Sequence, residues 1–150
     1  MAKLILMALI FSVSAMASAS SCPDLEGTFT YSGKTTITVS QSLDPSDITT
    51  YKITLDDGTC AACHTDTYLK ADGIEKKKIY NRANEVTKVY CENNRMKLRQ
   101  ITDYLDENGH VALTEKVHED YRINADRNLV VENVENNVPV GKVVYPRIAP

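Results

Sequence analysis

Residues 111–123, VALTEKVHEDYRI, alternate between two kinds of side chain. One face of this segment is mostly apolar and consists of Val111, Leu113, Val117, Tyr121 and Ile123, with two glutamates interrupting it. A period of two is the period of a β-strand, because successive side chains of a strand point to opposite faces of the sheet. The segment is therefore predicted to be a half-buried strand. Residues 129–134, LVVENV, follow it as its predicted hairpin partner.

The segments further upstream show the same pattern. Residues 28–32, 35–41 and 49–55 are rich in β-branched and aromatic side chains. Pairs that favour positive φ, as tight hairpins require, separate the apolar runs. The predicted turns are Asp57-Gly58, Asp72-Gly73, Asn93-Asn94, Asn108-Gly109 and residues 126–128. No segment after the N-terminal leader combines a helical stripe with caps, although residues 82–88 are compatible with a single helical turn.

These strands predict an all-β fold, an antiparallel up-and-down meander of about eight or nine strands. A meander of this length usually closes on itself, because closure removes the exposed strand edges. We therefore expect a small barrel, with a two-sheet β-sandwich as the alternative. The chain has eight tyrosines, about one for each predicted strand. They indicate either packing in the core and at its rim or the lining of a cavity for a small amphipathic ligand.

The N-terminal stretch is typical of a secretory signal peptide. Lys3 precedes an apolar run at residues 4–13, and the small residues at 15–19 match a signal-peptidase site. The apolar run is too short to span a bilayer. We expect residues 1–19 to be removed. Residues 20–150 then form a single domain with a Pro-containing C-terminal tail, secreted or periplasmic and without a transmembrane span.

The charge balance argues against a nucleic-acid partner. Without Lys3 the chain holds 16 basic and 20 acidic residues, so it has no positive surplus to attract a phosphate backbone. The lysines at 76–78 lie on a predicted strand, where a period of two places them on both faces. They are therefore interpreted as a solvated surface.

The four cysteines are predicted to form two disulfides. They are Cys22, Cys60, Cys63 and Cys91. An even number of cysteines in an oxidising compartment favours disulfides, and three connectivities are open. Cys22 has an alternative role, because small residues precede it as they precede the lipidated cysteine of an envelope lipoprotein.

Residues 60–64, CAACH, also match the C-x-x-C-H attachment motif of c-type haem. In that alternative Cys60 and Cys63 hold the haem and His64 is an axial ligand. A zinc site made of these residues and Cys91 is a further alternative. The motif follows an Asp-Gly turn and leads into a predicted strand rather than a helix. A disulfide or free thiols are therefore the preferred interpretation, and no cofactor or metal is predicted.

Glu115 and Glu119 lie on the mostly apolar face of the segment 111–123. Both carboxylates are therefore candidates to point into the barrel, and Tyr51, Tyr104 and Tyr121 join them as candidate cavity residues. The alternative is that each glutamate meets a lysine or arginine of a neighbouring strand. The sequence has neither a nucleophile elbow nor a Gly-rich phosphate loop, so no catalysis is predicted.

Three features resemble the lipocalin or calycin family. Gly27-Thr28-Phe29 opens the first strand, Thr102-Asp103-Tyr104 lies close to a later hairpin, and Arg122 and Arg127 lie near the last hairpin. The resemblance implies a barrel in which a basic residue near the end packs over the aromatic residue of strand one. It also implies a binding protein for a small apolar or amphipathic ligand. The sequence thus favours an exported, non-catalytic protein that binds such a ligand or another protein.

Overall fold

The computed structural model describes residues 22–32, 35–59 and 63–148. These residues contain ten β-strands and no helix. The strands are β1 (Gly27–Ser32), β2 (Thr35–Leu43), β3 (Thr49–Asp56), β4 (His64–Lys70), β5 (Lys76–Tyr80), β6 (Ala83–Glu92), β7 (Arg95–Leu105), β8 (Val111–Ile123), β9 (Leu129–Glu135) and β10 (Val138–Tyr145). The all-β prediction is confirmed, but ten strands are present where eight or nine were expected.

The strands form two antiparallel sheets. One sheet has the order β1-β2-β3-β4 and the other β10-β9-β8-β7-β6-β5. Every hydrogen-bonded neighbour within a sheet is also a neighbour in sequence, so each sheet is a simple meander. Among the described residues β4 and β5 are not paired, and the chain passes there from the first sheet to the second. A closed barrel is therefore not found, and the all-β meander is what the structure establishes.

Two local expectations are wrong, and both concern the larger sheet. Residues 82–88 form no helical turn, because Ala83–Glu92 is strand β6 and pairs with β7 along its whole length. Pro139 belongs to the stretch predicted as a Pro-containing C-terminal tail, but it lies within β10, next to a register shift between Pro139 and Gly141. Proline is tolerated there because β10 is an edge strand, where one missing backbone donor breaks no central ladder.

The five predicted turns all lie between strands. Asn93 and Asn94 have φ of 53° and 56°, which is the left-handed conformation of a tight two-residue hairpin loop. Asn136 and Asn137 repeat this arrangement with φ of 49° and 67° and join β9 to β10. This second Asn-Asn turn was not predicted, and β10, the strand that follows it, was therefore not predicted either.

The hydrophobic core lies between the two sheets. Its buried members are Leu25, Phe29, Val39, Tyr51, Leu69, Val89, Met96, Leu129 and Val131. Strands of both sheets contribute to this list, so the two sheets share one core. Tyr51 has no exposed surface, and its hydroxyl donates a hydrogen bond of 2.7 Å to the carbonyl oxygen of Pro23.

The segment before β1 closes one end of this core. Leu25 is 1% exposed, and a disulfide joins Cys22 to Cys91 of β6. The predicted disulfide chemistry is confirmed for this pair. Cys63 is also disulfide-bonded, while Cys60 lies outside the described residues.

The chain after β10 joins the outer edge of the first sheet. Phe29 and Arg147 form an antiparallel bridge, and the Thr30 amide donates to the Pro146 carbonyl oxygen at 2.8 Å. The Arg147 guanidinium lies 5.5 Å from the centroid of the Phe29 ring and donates to the Glu26 carbonyl oxygen. A Cβ at Gly27 would lie 2.8 Å from Nε of Arg147. Glycine at this position therefore leaves room for the guanidinium.

The family resemblance implied that Arg122 or Arg127 packs over Phe29, but the arginine beside the Phe29 ring is Arg147. Arg122 instead donates to Glu132 Oε1 at 2.8 Å, and Arg127 lies in the β8–β9 turn with a φ of 63°. The assignment of either residue to Phe29 is therefore wrong. Arg147 was overlooked because it lies beyond the last strand, in a stretch interpreted only as a tail.

The predicted signal peptide lies outside the described residues. In the part of the chain that the structure covers, no helix has the length and apolar character needed to cross a lipid bilayer. The intramolecular disulfide is compatible with an oxidising, exported location.

We expect replacement of both Cys22 and Cys91 by serine to destabilise the protein. The disulfide joins residues 69 positions apart, and a loop of that length corresponds to about 4 kcal/mol of stability in the chain-entropy model. Urea unfolding of the wild type and the double variant, followed by circular dichroism, measures the difference. Equal midpoints and slopes would contradict the prediction.

Candidate functional site

A cavity of about 420 Å³ lies between the two sheets. Its walls come from β1 to β4 on one side and from β8 to β10 on the other. The lining residues are Tyr31, Ile37, Ile53, Leu55, Thr65, Thr67, Glu119, Tyr121, Leu129, Val131, Asn133 and Tyr145. The cavity lies directly beside the core. On β1 the core residue Phe29 is two positions from the lining residue Tyr31, and on β3 the core residue Tyr51 is two positions from the lining residue Ile53.

Most of the cavity wall is apolar. Leu129 and Val131 are almost completely buried and form the deep side, whereas Tyr31 and Leu55 are 56% and 42% exposed and lie toward the solvent. The rings of Tyr31 and Tyr145 pack against each other with centroids 5.6 Å apart and planes tilted by 31°. This arrangement offers an apolar surface that solvent and small molecules can reach from one side.

A small polar group interrupts the apolar wall at the middle of β8 and β9. The Tyr121 hydroxyl donates a short hydrogen bond to Glu119 Oε2. Burial raises the pKa of Tyr121, and the nearby Glu119 carboxylate raises it further, because both disfavour the phenolate. Glu119 stands directly opposite Asn133 in the β8–β9 register. Asn133 Oδ1 is buried and accepts no hydrogen bond within the described residues.

Two of the five predicted cavity residues, Glu119 and Tyr121, line this cavity. Tyr51 is instead a core residue, because its ring is buried and its hydroxyl is bound to the N-terminal segment. Tyr104 and Glu115 lie on the same face of the sheet but outside the lining, and Tyr104 is 40% exposed. They bind each other through a hydrogen bond of 3.0 Å from the Tyr104 hydroxyl to Glu115 Oε2. This hydrogen bond is the main cause of the raised pKa of Tyr104.

Glu115 and Glu119 do not form a carboxylate pair. Four positions along a strand separate their Cα atoms by about 13 Å, and each carboxylate accepts a hydrogen bond from a different tyrosine. The carboxylates of glycoside hydrolases, by comparison, lie about 5 to 9.5 Å apart. The two glutamates are therefore independent polar points on one face of β8.

Several lining residues were not singled out from the sequence. Ile37 and Ile53 belong to the predicted strands at 35–41 and 49–55, where an apolar residue is compatible with either a filled core or a cavity wall. Asn133 carried no signal, because a polar residue in a strand is usually interpreted as facing solvent. Its place inside follows from its register with Glu119, which depends on the pairing of β8 with β9.

The disulfides of this structure bear on the lipoprotein, haem and zinc alternatives for the cysteines. The sulfurs of Cys22 and Cys63 are engaged in disulfides, so neither is available for a thioether to lipid or haem. His64 is exposed at the start of β4, opposite Asp56. Within residues 22–32, 35–59 and 63–148, no three His, Cys, Asp or Glu side chains are grouped to hold a metal ion.

We expect two tyrosines to resist ionisation while the protein is folded. Burial raises the pKa of both Tyr51 and Tyr121 above the ordinary value of about 10. Their protonated form stabilises the fold fully below pH about 10, and this stabilisation is lost as the pH rises toward the folded-state pKa. An alkaline titration followed by phenolate absorbance should therefore show a delayed step that coincides with unfolding. Tyr121→Phe should reduce this step, and Tyr68→Phe, at a largely exposed tyrosine, should not.

Comparisons with known proteins do not assign the chain to a family. No family model, curated protein or solved structure matches it. The lipocalin resemblance therefore rests on the residues that suggested it and stays a prediction.

Proposed function

We propose that the chain is an exported, non-catalytic binding protein that holds a small apolar or amphipathic ligand between its sheets. The observation that carries the proposal is the cavity of about 420 Å³, whose apolar walls come from both sheets. Small-molecule sites typically enclose about 300 to 1,000 Å³ and combine apolar walls with a few polar groups. The polar groups here are Glu119, Tyr121 and Asn133 on one side and Thr65 and Thr67 of β4 on the other.

We also propose that the two sheets act as one small lipocalin-like barrel rather than as a sandwich. Its support is the junction between β1 and the chain after β10. There the Thr30 amide donates to Pro146, and the Ile148 amide donates to Thr28 at 2.8 Å. These bonds satisfy backbone groups at the β1 edge of the first sheet through the residues that directly follow β10, and barrel closure likewise removes exposed edges. The β-sandwich is the alternative because β4 and β5 do not pair in the described residues.

The separation of the carboxylates supports a non-catalytic role. A general acid and a general base must both reach one substrate, and Glu115 and Glu119 are too far apart and engaged with different tyrosines. The proposed role is therefore to bind and release a molecule without changing it.

Export is proposed from the signal-like N terminus and supported by the Cys22–Cys91 disulfide. After expression with its own N terminus, the intact mass should correspond to residues 20–150. Alkylation should add mass at four cysteines only after reduction. A mass increased by a diacylglyceryl group would favour the lipoprotein anchored at Cys22. A haem adduct would favour the c-type haem protein. Either result would overturn the proposal of a soluble protein with two disulfides.

Binding of an uncharged apolar dye tests the cavity directly. N-phenyl-1-naphthylamine should bind saturably with about one site per chain, because the cavity offers one continuous apolar surface. Ile53→Trp should reduce its affinity about tenfold or more, since the larger side chain takes up the space between the sheets.

The matched control is Ile79→Trp, because Ile79 is 84% exposed and does not line the cavity. It should leave dye affinity unchanged. A wild-type titration that does not saturate would contradict the proposed function, and so would equal effects of the two tryptophan variants.

A further inference from the structure

We infer that the cavity prefers an amphipathic ligand whose polar end is a protonated amine. This inference rests on the proposed function and specifies the chemical class of its ligand. Its basis is the polar group formed by Glu119 and Asn133, which offers hydrogen-bond acceptors and negative charge on a mostly apolar wall.

Glu119 supplies the charge. Its carboxylate lines the cavity, and the hydrogen bond from Tyr121 occupies one of its oxygens. None of the ion pairs among the described residues includes Glu119. An ionised carboxylate accepts several hydrogen bonds, so this group retains acceptor capacity directed at the cavity. A protonated amine supplies both the donors and the opposite charge.

Asn133 supplies a second acceptor at the same level. Its Oδ1 is buried and has no partner within the described residues, although buried polar atoms are almost always hydrogen-bonded. It stands opposite Glu119 in the β8–β9 register, so the two side chains are neighbours on the inner face. An ammonium group has three donors and can bind Glu119 and Asn133 together.

The charges around the cavity disfavour an anionic ligand. Among the described residues that line it, Glu119 is the only charged one, and no lysine, arginine or histidine is included. The basic residues of β8 are Lys116, His118 and Arg122, which alternate with Glu119 and Tyr121 and so lie on the opposite face of the sheet. A fatty carboxylate would therefore bring a second negative charge beside Glu119 without a counter-ion.

The cavity volume limits the size of the apolar part. At about 30 Å³ per water molecule, about 420 Å³ has room for roughly 14 waters. A ligand with roughly ten to fifteen non-hydrogen atoms would fill this space. The expected ligand is therefore an alkyl or aryl amine of modest size, with its body against the isoleucines and its ammonium at Glu119.

Three probes that share one alkyl chain test the head group: decylammonium, decanol and decanoate. Their affinities for the full mature protein are measured by isothermal titration calorimetry at neutral pH, below their micellar concentrations. Decylammonium should bind about tenfold or more tightly than decanoate, with decanol between them. If none of the three binds saturably, the proposed function fails. If decanol or decanoate binds as tightly as decylammonium, the cavity is a binding site but the inference is overturned.

Glu119→Gln tests whether the carboxylate provides the preference. It should weaken decylammonium binding about tenfold and leave decanol binding unchanged, which also reports that the variant is folded. Glu115→Gln is the matched control, because Glu115 lies on the same face of β8 but outside the cavity lining. It should change neither affinity. An unchanged decylammonium affinity in Glu119→Gln, or equal losses in both variants, would overturn the inference.

Asn133→Leu tests the second acceptor. It should weaken decylammonium binding by less than Glu119→Gln does, because it removes a neutral acceptor rather than a charge. Decanol affinity again serves as the measure of an intact cavity. An unchanged decylammonium affinity would remove Asn133 from the proposed site.

Discussion

The fold depends on the attachment of the N-terminal segment to the core. The Tyr51 ring is fully buried, and leaving its hydroxyl without a partner would cost about 1 to 3 kcal/mol. The carbonyl oxygen of Pro23 supplies that partner, and the neighbouring Cys22–Cys91 disulfide holds the segment in place. Leu25 then completes the closed end of the core. The cavity lined by Glu119 and Tyr121 lies away from this segment, because neither Cys22 nor Leu25 is among its lining residues.

Strand β8 divides two chemical environments. Its inner face presents Glu119 and Tyr121 to the cavity, whereas Asp120 and Arg122 on its outer face belong to an ion network. At the centre of this network, Glu132 pairs with Arg95, Arg122 and Lys142. The hydrogen bond from Arg122 and the surrounding positive charges lower the pKa of Glu132. Alternation along the paired strands β8 and β9 thus places Glu132 of β9 among cations on the outer face, whereas Glu119 of β8 lies on the inner face and forms no ion pair among the described residues.

The sequence predicted what depends on local periodicity and turn chemistry. The alternating face of β8, which carries both Glu115 and Glu119, and the Asp-Gly and Asn-Gly turns follow from patterns within a few residues. The errors concern features set by distant contacts. Strand β6 is defined by its pairing with β7, the partner of Phe29 is Arg147 rather than Arg122 or Arg127, and Asn133 is placed by its register. The number of sheets could not be predicted from local patterns either, because it depends on whether β4 and β5 form hydrogen bonds with each other.

The contact between Arg147 and the start of β1 has a consequence for the order of folding. The guanidinium binds the Glu26 carbonyl oxygen, 121 positions earlier in the chain. Contacts of such long range form late, because the entropy of closing the intervening loop must be overcome first. During synthesis the N-terminal strands leave the ribosome long before their final partner exists. The edge of β1 therefore stays uncovered until residues 146–148 have been synthesised and have reached it.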